Sequence, residues 1–253
     1  MRKLLFLLFP AFSVLSVLNC SSGDKDMPCV SCGDEPPIVT CPNAVTSSGT
    51  LSCGGQTYKT VNINGQIWMA ENLNYDASGS VCYNNQTANC DKYGRLYNWS
   101  TAMGISSSYN SNSYNPSSGT KYKGVCPSGW HIPNNAEWDK LMRYVDGTSG
   151  TSSPYDSPFA GIYLKAREGW NSCGPSGSGK DDLCEDTHSF SALPGGYGYS
   201  GGYFSSAGDI GSWWSASEDD SDYAYNRCMS CYIGYLGYSH DKSYLFSVRC
   251  LQD

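Results

Sequence analysis

The chain has 253 residues, 40% of them hydrophobic and only 15% charged, with a net charge of −7. That length suits one large domain plus a tether and is ample for a real core, while the acidic balance argues against a nucleic-acid partner, whose affinity rests on cationic contacts to phosphate. Heavy use of Tyr (20) and Gly (28) favours strands, turns and aromatic-rich surfaces over long solvated helices.

The first nineteen residues read as a secretory signal: Arg2 and Lys3 precede an apolar run from Leu4 to Leu18, too short and wrongly flanked for a membrane span. No later segment has ~18 consecutive apolar residues, so no second membrane element is expected. There are 13 cysteines, an odd number that leaves one thiol over in an oxidising compartment. Lipidation of Cys20 as the first residue of a bacterial lipoprotein removes the odd one and lets the rest pair. Val17-Leu18-Asn19 resembles a lipobox, with Asn19 where a small residue is usual, and Ser21 beside the cysteine resembles lipoproteins sent to the outer membrane. The expected location is therefore the bacterial cell envelope, with the membrane reached through a lipid anchor.

Residues 20–53 read as a tether, flexible at Ser21-Ser22-Gly23-Asp24 and stiffened by Pro36-Pro37. Cys29, Cys32, Cys41 and Cys53 make it stapled, in a pairing the sequence does not choose. The domain is expected over 54–253. Tyr58, Val61 and Ile63 lead into Asn64-Gly65, a two-residue hairpin signal, and Gln66-Ile67-Trp68-Met69 returns. A helix is expected around Tyr93–Met103, where Leu96, Trp99 and Met103 stand at helical spacing. The clearest helix is Asn134–Val145: Asn134 caps it, Glu137 completes a capping box, and Trp138, Leu141, Met142 and Val145 form one apolar stripe. The last third reads as short strands, with Trp213-Trp214, Tyr223–Met229 and Leu245–Leu251 the best candidates. Two helices framed by a hairpin and C-terminal strands predict an α+β domain.

Several motifs tempt and fail. Gly174 to Lys180 matches most of a P-loop, but Asp181 stands where a hydroxyl should ligate magnesium. Gly198-Tyr199-Ser200-Gly201-Gly202 fits Gly-x-Ser-x-Gly, yet more turn residues follow it rather than a helix. His131, His188 and His240 are scattered, and none lies at metal spacing from a second ligand. Two acidic clusters remain, Asp181, Asp182, Glu185 and Asp186 in one loop and Glu218, Asp219, Asp220 and Asp222 after the tryptophan strand. Asp181, Asp182 and Asp186 are candidate calcium ligands, since calcium takes several oxygens from flexible loops; solvated surface is the favoured reading of both runs, and no cofactor is expected. No coherent catalytic set emerges.

The segments Tyr58-Lys59-Thr60-Val61, Gln66-Ile67-Trp68-Met69-Ala70-Glu71-Asn72-Leu73, Lys92-Tyr93-Gly94-Arg95-Leu96-Tyr97, Cys126-Pro127-Ser128-Gly129-Trp130-His131-Ile132-Pro133, Ala136-Glu137-Trp138, Phe190-Ser191-Ala192-Leu193-Pro194-Gly195-Gly196-Tyr197, Trp213-Trp214-Ser215 and Phe246-Ser247-Val248-Arg249-Cys250 resemble the Fibrobacter succinogenes major paralogous domain. They fall in the family order over about residues 54–252. The resemblance implies an exported or lipid-anchored bacterial protein with a C-type-lectin-like fold related to the formylglycine-generating enzymes: two helices with short antiparallel strands, loop-rich and disulfide-stapled. That fold analogy also implies a Cys126–Cys250 disulfide. The cysteine pair of the formylglycine-generating group does not align with Cys228/Cys231, which argues against that activity. From spacing alone, Cys82–Cys90 and Cys173–Cys184 bracket short loops. Cys228 and Cys231 are also expected to be oxidised, but in an extended strand their Cα atoms stand ~10 Å apart, beyond the ~7 Å reach of a disulfide, so they pair with each other only across a turn.

Tyr223, Tyr225, Tyr232, Tyr235, Tyr238 and Tyr244 crowd the C-terminal region, with Tyr197, Tyr199 and Tyr203 upstream. Tyrosine packs half-buried sheets, and it is also a low-entropy contact residue suited to sugars and proteins. Tyr225, Tyr232, Tyr235 and Tyr238 are the candidate ligand-binding residues. The expected role is a non-catalytic recognition or adhesion module for an extracellular glycan or protein. The rivals are a divergent formylglycine-generating-type enzyme and a purely structural envelope protein.

Overall fold

A computed structural model of the chain describes residues 45–47, 49–115, 117, 119–147, 156–157, 159–174, 182–230 and 235–253. Contacts divide the chain into Met1–Asp34 and Glu35–Asp253, and every described residue belongs to the second unit. Cys20, Cys29, Cys32 and Cys41 therefore lie outside the described residues, as do Asp181, Cys231 and Tyr232.

The strands are β1 (Val45–Ser47), β2 (Thr50–Cys53), β3 (Gln56–Ile63), β4 (Gln66–Met69), β5 (Trp130–His131), β6 (Asp156–Ser157), β7 (Cys173–Gly174), β8 (Asp182–Leu183), β9 (Gly195–Gly198), β10 (Phe204–Ala207), β11 (Ile210–Glu218), β12 (Tyr223–Ser230), β13 (Tyr235–Asp241) and β14 (Leu251–Gln252). One six-stranded sheet runs β1-β2-β3-β4-β14-β5, a second runs β10-β9-β11-β12-β13-β6, and β7 and β8 make a parallel pair. Residues 45–53, read from the sequence as tether, thus pair into the first sheet. The expected Asn64-Gly65 hairpin is present: both residues have positive φ, 51° and 78°, as a type I′ turn requires, and β3 pairs antiparallel with β4 around it.

The expected α+β, C-type-lectin-like arrangement is overturned, because the chain is mostly β. Among the described residues its α-helices are α1 (Thr87–Tyr93), α2 (Trp99–Met103), α3 (Asn135–Asp146) and α4 (Ala160–Leu164), and of these only α3, at 12 residues, exceeds two turns. The helix expected over Tyr93–Met103 is broken. Gly94, at φ 76°, ends α1 where a Cβ would meet the Asn72 side chain at 2.8 Å. Leu96 and Tyr97 then run extended to bridge Val81 and Phe246, and Asn98 caps α2 by accepting from Thr101 N–H. Long-range pairing here outweighs a local 3.6-residue rhythm. Residues Leu245–Cys250, expected as strand, are extended but held by isolated bridges, and only Leu251–Gln252 joins a sheet.

Helix α3 forms as its sequence predicts. Asn134 accepts from Glu137 N–H, and the Glu137 carboxylate accepts from Asn134 N–H in return. Trp138, Leu141, Met142 and Val145 are all buried on one face. β11 lies between two cores, since successive residues of a strand point to opposite sides. Trp213 enters the cluster of Trp68, Trp138, Leu141 and Phe190, and Trp214 enters the cluster of Trp99, Phe246 and Val248. Both indoles are fully buried. The expected disulfides Cys82–Cys90, Cys126–Cys250 and Cys173–Cys184 are all formed, with Cα separations of 4.9, 5.8 and 5.7 Å. Cys53 is also disulfide-bonded. Cys228, expected to be oxidised, is instead a free thiol inside β12.

Candidate functional site

On the Trp214 side of the second sheet, β9, β12 and β13 and the extended segment after β13 enclose a pocket of about 270 Å³. The register of β12 on β13 places Asn226 opposite Tyr238 and Ala224 opposite His240. Alternation then puts Asn226, Cys228, Tyr238 and His240 on one face. Gly198, which bridges Leu245, lets the neighbouring segment come close: a Cβ there would lie 2.9 Å from the Leu245 side chain. That approach brings Tyr197 and Tyr244 into parallel rings 6.5 Å apart, with Tyr199 edge-on to Tyr244 at 5.0 Å. His240 stands 5.6 Å from Tyr244 and 5.5 Å from Phe246.

The floor is polar but uncharged. His240 Nδ1 and Asn226 Oδ1 are 2.9 Å apart, and Asn226, fully buried, leaves its Nδ2 without a partner. Ser212 and Cys228 line the same space. No Asp, Glu, Lys or Arg is among the described lining residues. Burial pulls His240 below its usual range, so the ring is neutral at pH 7. Burial pushes the Cys228 thiol up to about 11, against an opposing hydrogen bond with Ser212, so it stays protonated. The hydrogen bond to Tyr197, and that neighbour's charge, raise Tyr199. The arrangement suits binding: aromatic faces to stack on, hydroxyls and an amide to orient a ligand, and no activated acid, base or nucleophile.

Of the residues expected to bind a ligand, Tyr238 lines this pocket. Tyr225 points to the opposite face of β12 and donates its hydroxyl to Asp219 at 2.8 Å, so it does not contribute; one position along a strand changes the face. Tyr235 begins β13 opposite Ser157, and its side chain, like all of Tyr232, lies outside the described residues. Tyr197, Tyr199 and Tyr244 belong to the tyrosine-rich stretches that the sequence singles out, whereas nothing in it points to Asn226 or Ser212 as site residues, Phe246 reads only as part of a strand, and His240 stands alone in sequence. The i, i+2 spacing of Asn226/Cys228 and Tyr238/His240 was the available signal.

Of the candidate calcium ligands, Asp181 and the side chain of Asp182 lie outside the described residues. Asp186, a candidate calcium ligand, instead accepts from Ser191 N–H at 2.8 Å and Ser191 Oγ at 2.7 Å. Asp182 pairs by its backbone with Cys173 in β8. No group of three His, Cys, Asp or Glu is arranged for a metal among the described residues. A wider cleft of about 780 Å³ lies between the 113–122 loop, the start of α3 and the Glu218–Ser221 turn. Its carboxylates serve structure: Glu218 accepts from buried Lys242 Nζ at 2.5 Å and from Tyr114 and Asn115 N–H, Asp139 holds Arg227 at 2.9 Å, and Asp220 caps the turn at Asp222 and Tyr223. The Gly198–Gly202 segment is the turn joining β9 to β10, with Gly202 N–H bonded back to the Tyr199 carbonyl, and no helix follows it.

The model of the Fibrobacter succinogenes major domain matches residues 61–252. The chain belongs to this family. No curated protein and no solved structure matches it. The segments that identify the Fibrobacter succinogenes major domain build the frame behind the pocket rather than the pocket itself. Asn72 accepts from Trp213 Nε1 at 2.8 Å and Arg249 Nε at 3.0 Å, and donates to the Tyr93 carbonyl at 2.8 Å. His131 spans Glu137 at 2.9 Å and Asp253 at 2.7 Å. Of the pocket-lining residues, only Tyr197 and Phe246 come from those segments. Among the described residues no helix is long and apolar enough to cross a membrane.

Proposed function

We propose that this protein is a non-catalytic recognition module of the bacterial cell envelope, lipid-anchored through Cys20 to the outer membrane, that binds an extracellular glycan. The observation that carries the reading is the tyrosine-walled, uncharged pocket, in which Tyr197, Tyr199, Tyr238 and Tyr244 surround the Asn226 amide. Flat aromatic faces beside a few fixed polar groups are what a sugar needs, apolar C–H faces on one side and hydroxyls on the other. Cys228 brings a thiol into the same space, which is what the enzymatic alternative requires. Its burial argues against that use, since the thiolate is the nucleophile and burial suppresses it.

The reading is tested by binding of the oxidised full-length protein, in a non-glycosidic detergent, to a panel of soluble and insoluble polysaccharides. Saturable binding that falls tenfold or more in Tyr199→Ala or Tyr238→Ala is expected. Both side chains are partly exposed, so neither change should unfold the domain. Absence of glycan binding, with retention of a protein from native envelope that the same variants release, would replace the glycan by a protein ligand.

A further inference from the structure

Among the described residues, Asn226 Nδ2 is the one fully buried polar side-chain atom of the pocket lining without a partner, and it narrows what the pocket can hold. Resting on the glycan reading above, we propose that the pocket recognises a single uncharged sugar ring, and that Asn226 Nδ2 is the donor that reads one of its oxygens. Asn226 is fully buried, its Oδ1 is taken by His240, and its Nδ2 meets no acceptor. Most buried side-chain amides are satisfied in folded proteins, and of the unmet buried atoms among the described residues Asn226 Nδ2 is the one that belongs to this pocket's lining. With Oδ1 turned toward His240, as in the structure, the imidazole Nδ1 is the donor of that bond and the NH₂ group is left for the ligand.

The class of ligand follows from what surrounds that donor. Without a charged group in the described lining, a uronate or an amino sugar would lose its hydration with no counter-charge to replace it. A space of about 270 Å³ falls just below the ~300 Å³ at which pockets for drug-sized ligands begin, which suits one ring better than several. Tyr238 stands directly opposite Asn226 across the strand pair and is 45% exposed. Cross-strand partners of this kind have adjoining side chains, so the Tyr238 ring stands beside the Asn226 amide and is available to stack on a ligand bound there.

The test is titration calorimetry of the oxidised full-length protein with the methyl glycosides of glucose, galactose, mannose and xylose, and with glucuronate and galacturonate. At least one methyl glycoside is expected to bind saturably, with the uronates tenfold or more weaker. Asn226→Asp preserves the shape and the acceptor for His240 while removing the donor, and is expected to weaken that glycoside at least tenfold. Binding of the Asn226→Asp protein within twofold of the unaltered one, while Tyr199→Ala abolishes it, would overturn the role of Asn226 and leave the recognition reading standing. The same holds for uronates that bind as tightly as glycosides, or polysaccharides that bind when no single ring does. Loss of all saturable glycan binding would overturn both. Should Asn226→Asp fail to fold, monodeoxy versions of the bound glycoside decide on the unaltered protein: one position costing tenfold supports the inference, and uniform tolerance overturns it.

Discussion

Asn72 shows how much of this protein rests on single side chains. Its amide joins the end of the β4 segment to Trp213 in β11, to Arg249 ahead of β14 and to the carbonyl that closes α1. Arg249 is fully buried with no carboxylate in contact among the described residues, and burial lowers it to about 9. The guanidinium still carries its charge at neutral pH. It lies against the Phe190 and Trp213 rings and donates to the carbonyls of Phe190 and Ser191. His240 is half-buried, and desolvation disfavours its charged form. Burial holds its folded pKa below the unfolded value of 6.5, so between those two values the unfolded chain binds more protons. Stability therefore rises with pH across that window, and is lost as pH falls through 6.5 towards the folded pKa. Urea unfolding of the unaltered protein and of His240→Gln between pH 7.5 and 5 measures this. The unaltered protein is expected to lose stability relative to the variant as the pH drops, and parallel curves would remove His240 as the source.

Local signals were legible at the scale of single elements, and non-local ones were not. Helix α3 could be read because everything that defines it lies within twelve residues: the Asn134 cap, the Glu137 return bond and the apolar stripe. The β3–β4 hairpin was legible for the same reason, with Asn64-Gly65 dictating the turn. The segment after Gly94 was misread because its partners, Val81 and Phe246, are far away in sequence. The pocket suffered likewise: tyrosine content pointed to its region, but the β12–β13 register and the approach of residues 244–246 to β9 decide which tyrosines face it. Tyr225 and Tyr238 looked equivalent and fall on opposite sides. Because α3 is locally encoded, its cap is also the cleanest element to test. Asn134→Ala removes the acceptor for Glu137 N–H and is expected to cost about 1 kcal/mol, seen as a lower urea midpoint with an unchanged slope. A loss below a few tenths would mean that packing of the stripe alone holds the helix.

Across the described residues, the first sheet is closed by segments that meet from opposite ends of the sequence. β14, almost the last segment, inserts between β4 and β5, and the Cys126–Cys250 disulfide, with a sequence separation of 124, fixes the chain just before it. Such a topology is entropically costly to close, because loop closure must precede the contacts that reward it. The bridge acts on that cost by restricting the unfolded chain, in proportion to the logarithm of the loop it closes. Cys82–Cys90, with a separation of 8, provides the internal control: both pairs are buried, so the packing lost on replacement by alanine is similar and the difference reports the loop. The chain-entropy relation gives about 5 kcal/mol for the long bridge and about 2.5 kcal/mol for the short one. Paired Cys→Ala variants unfolded in urea should therefore differ by about 2.5 kcal/mol, with Cys126→Ala/Cys250→Ala the weaker protein. Equal losses would show that the long bridge does not act through the unfolded chain, and that the sheets hold β14 in place by pairing and packing alone.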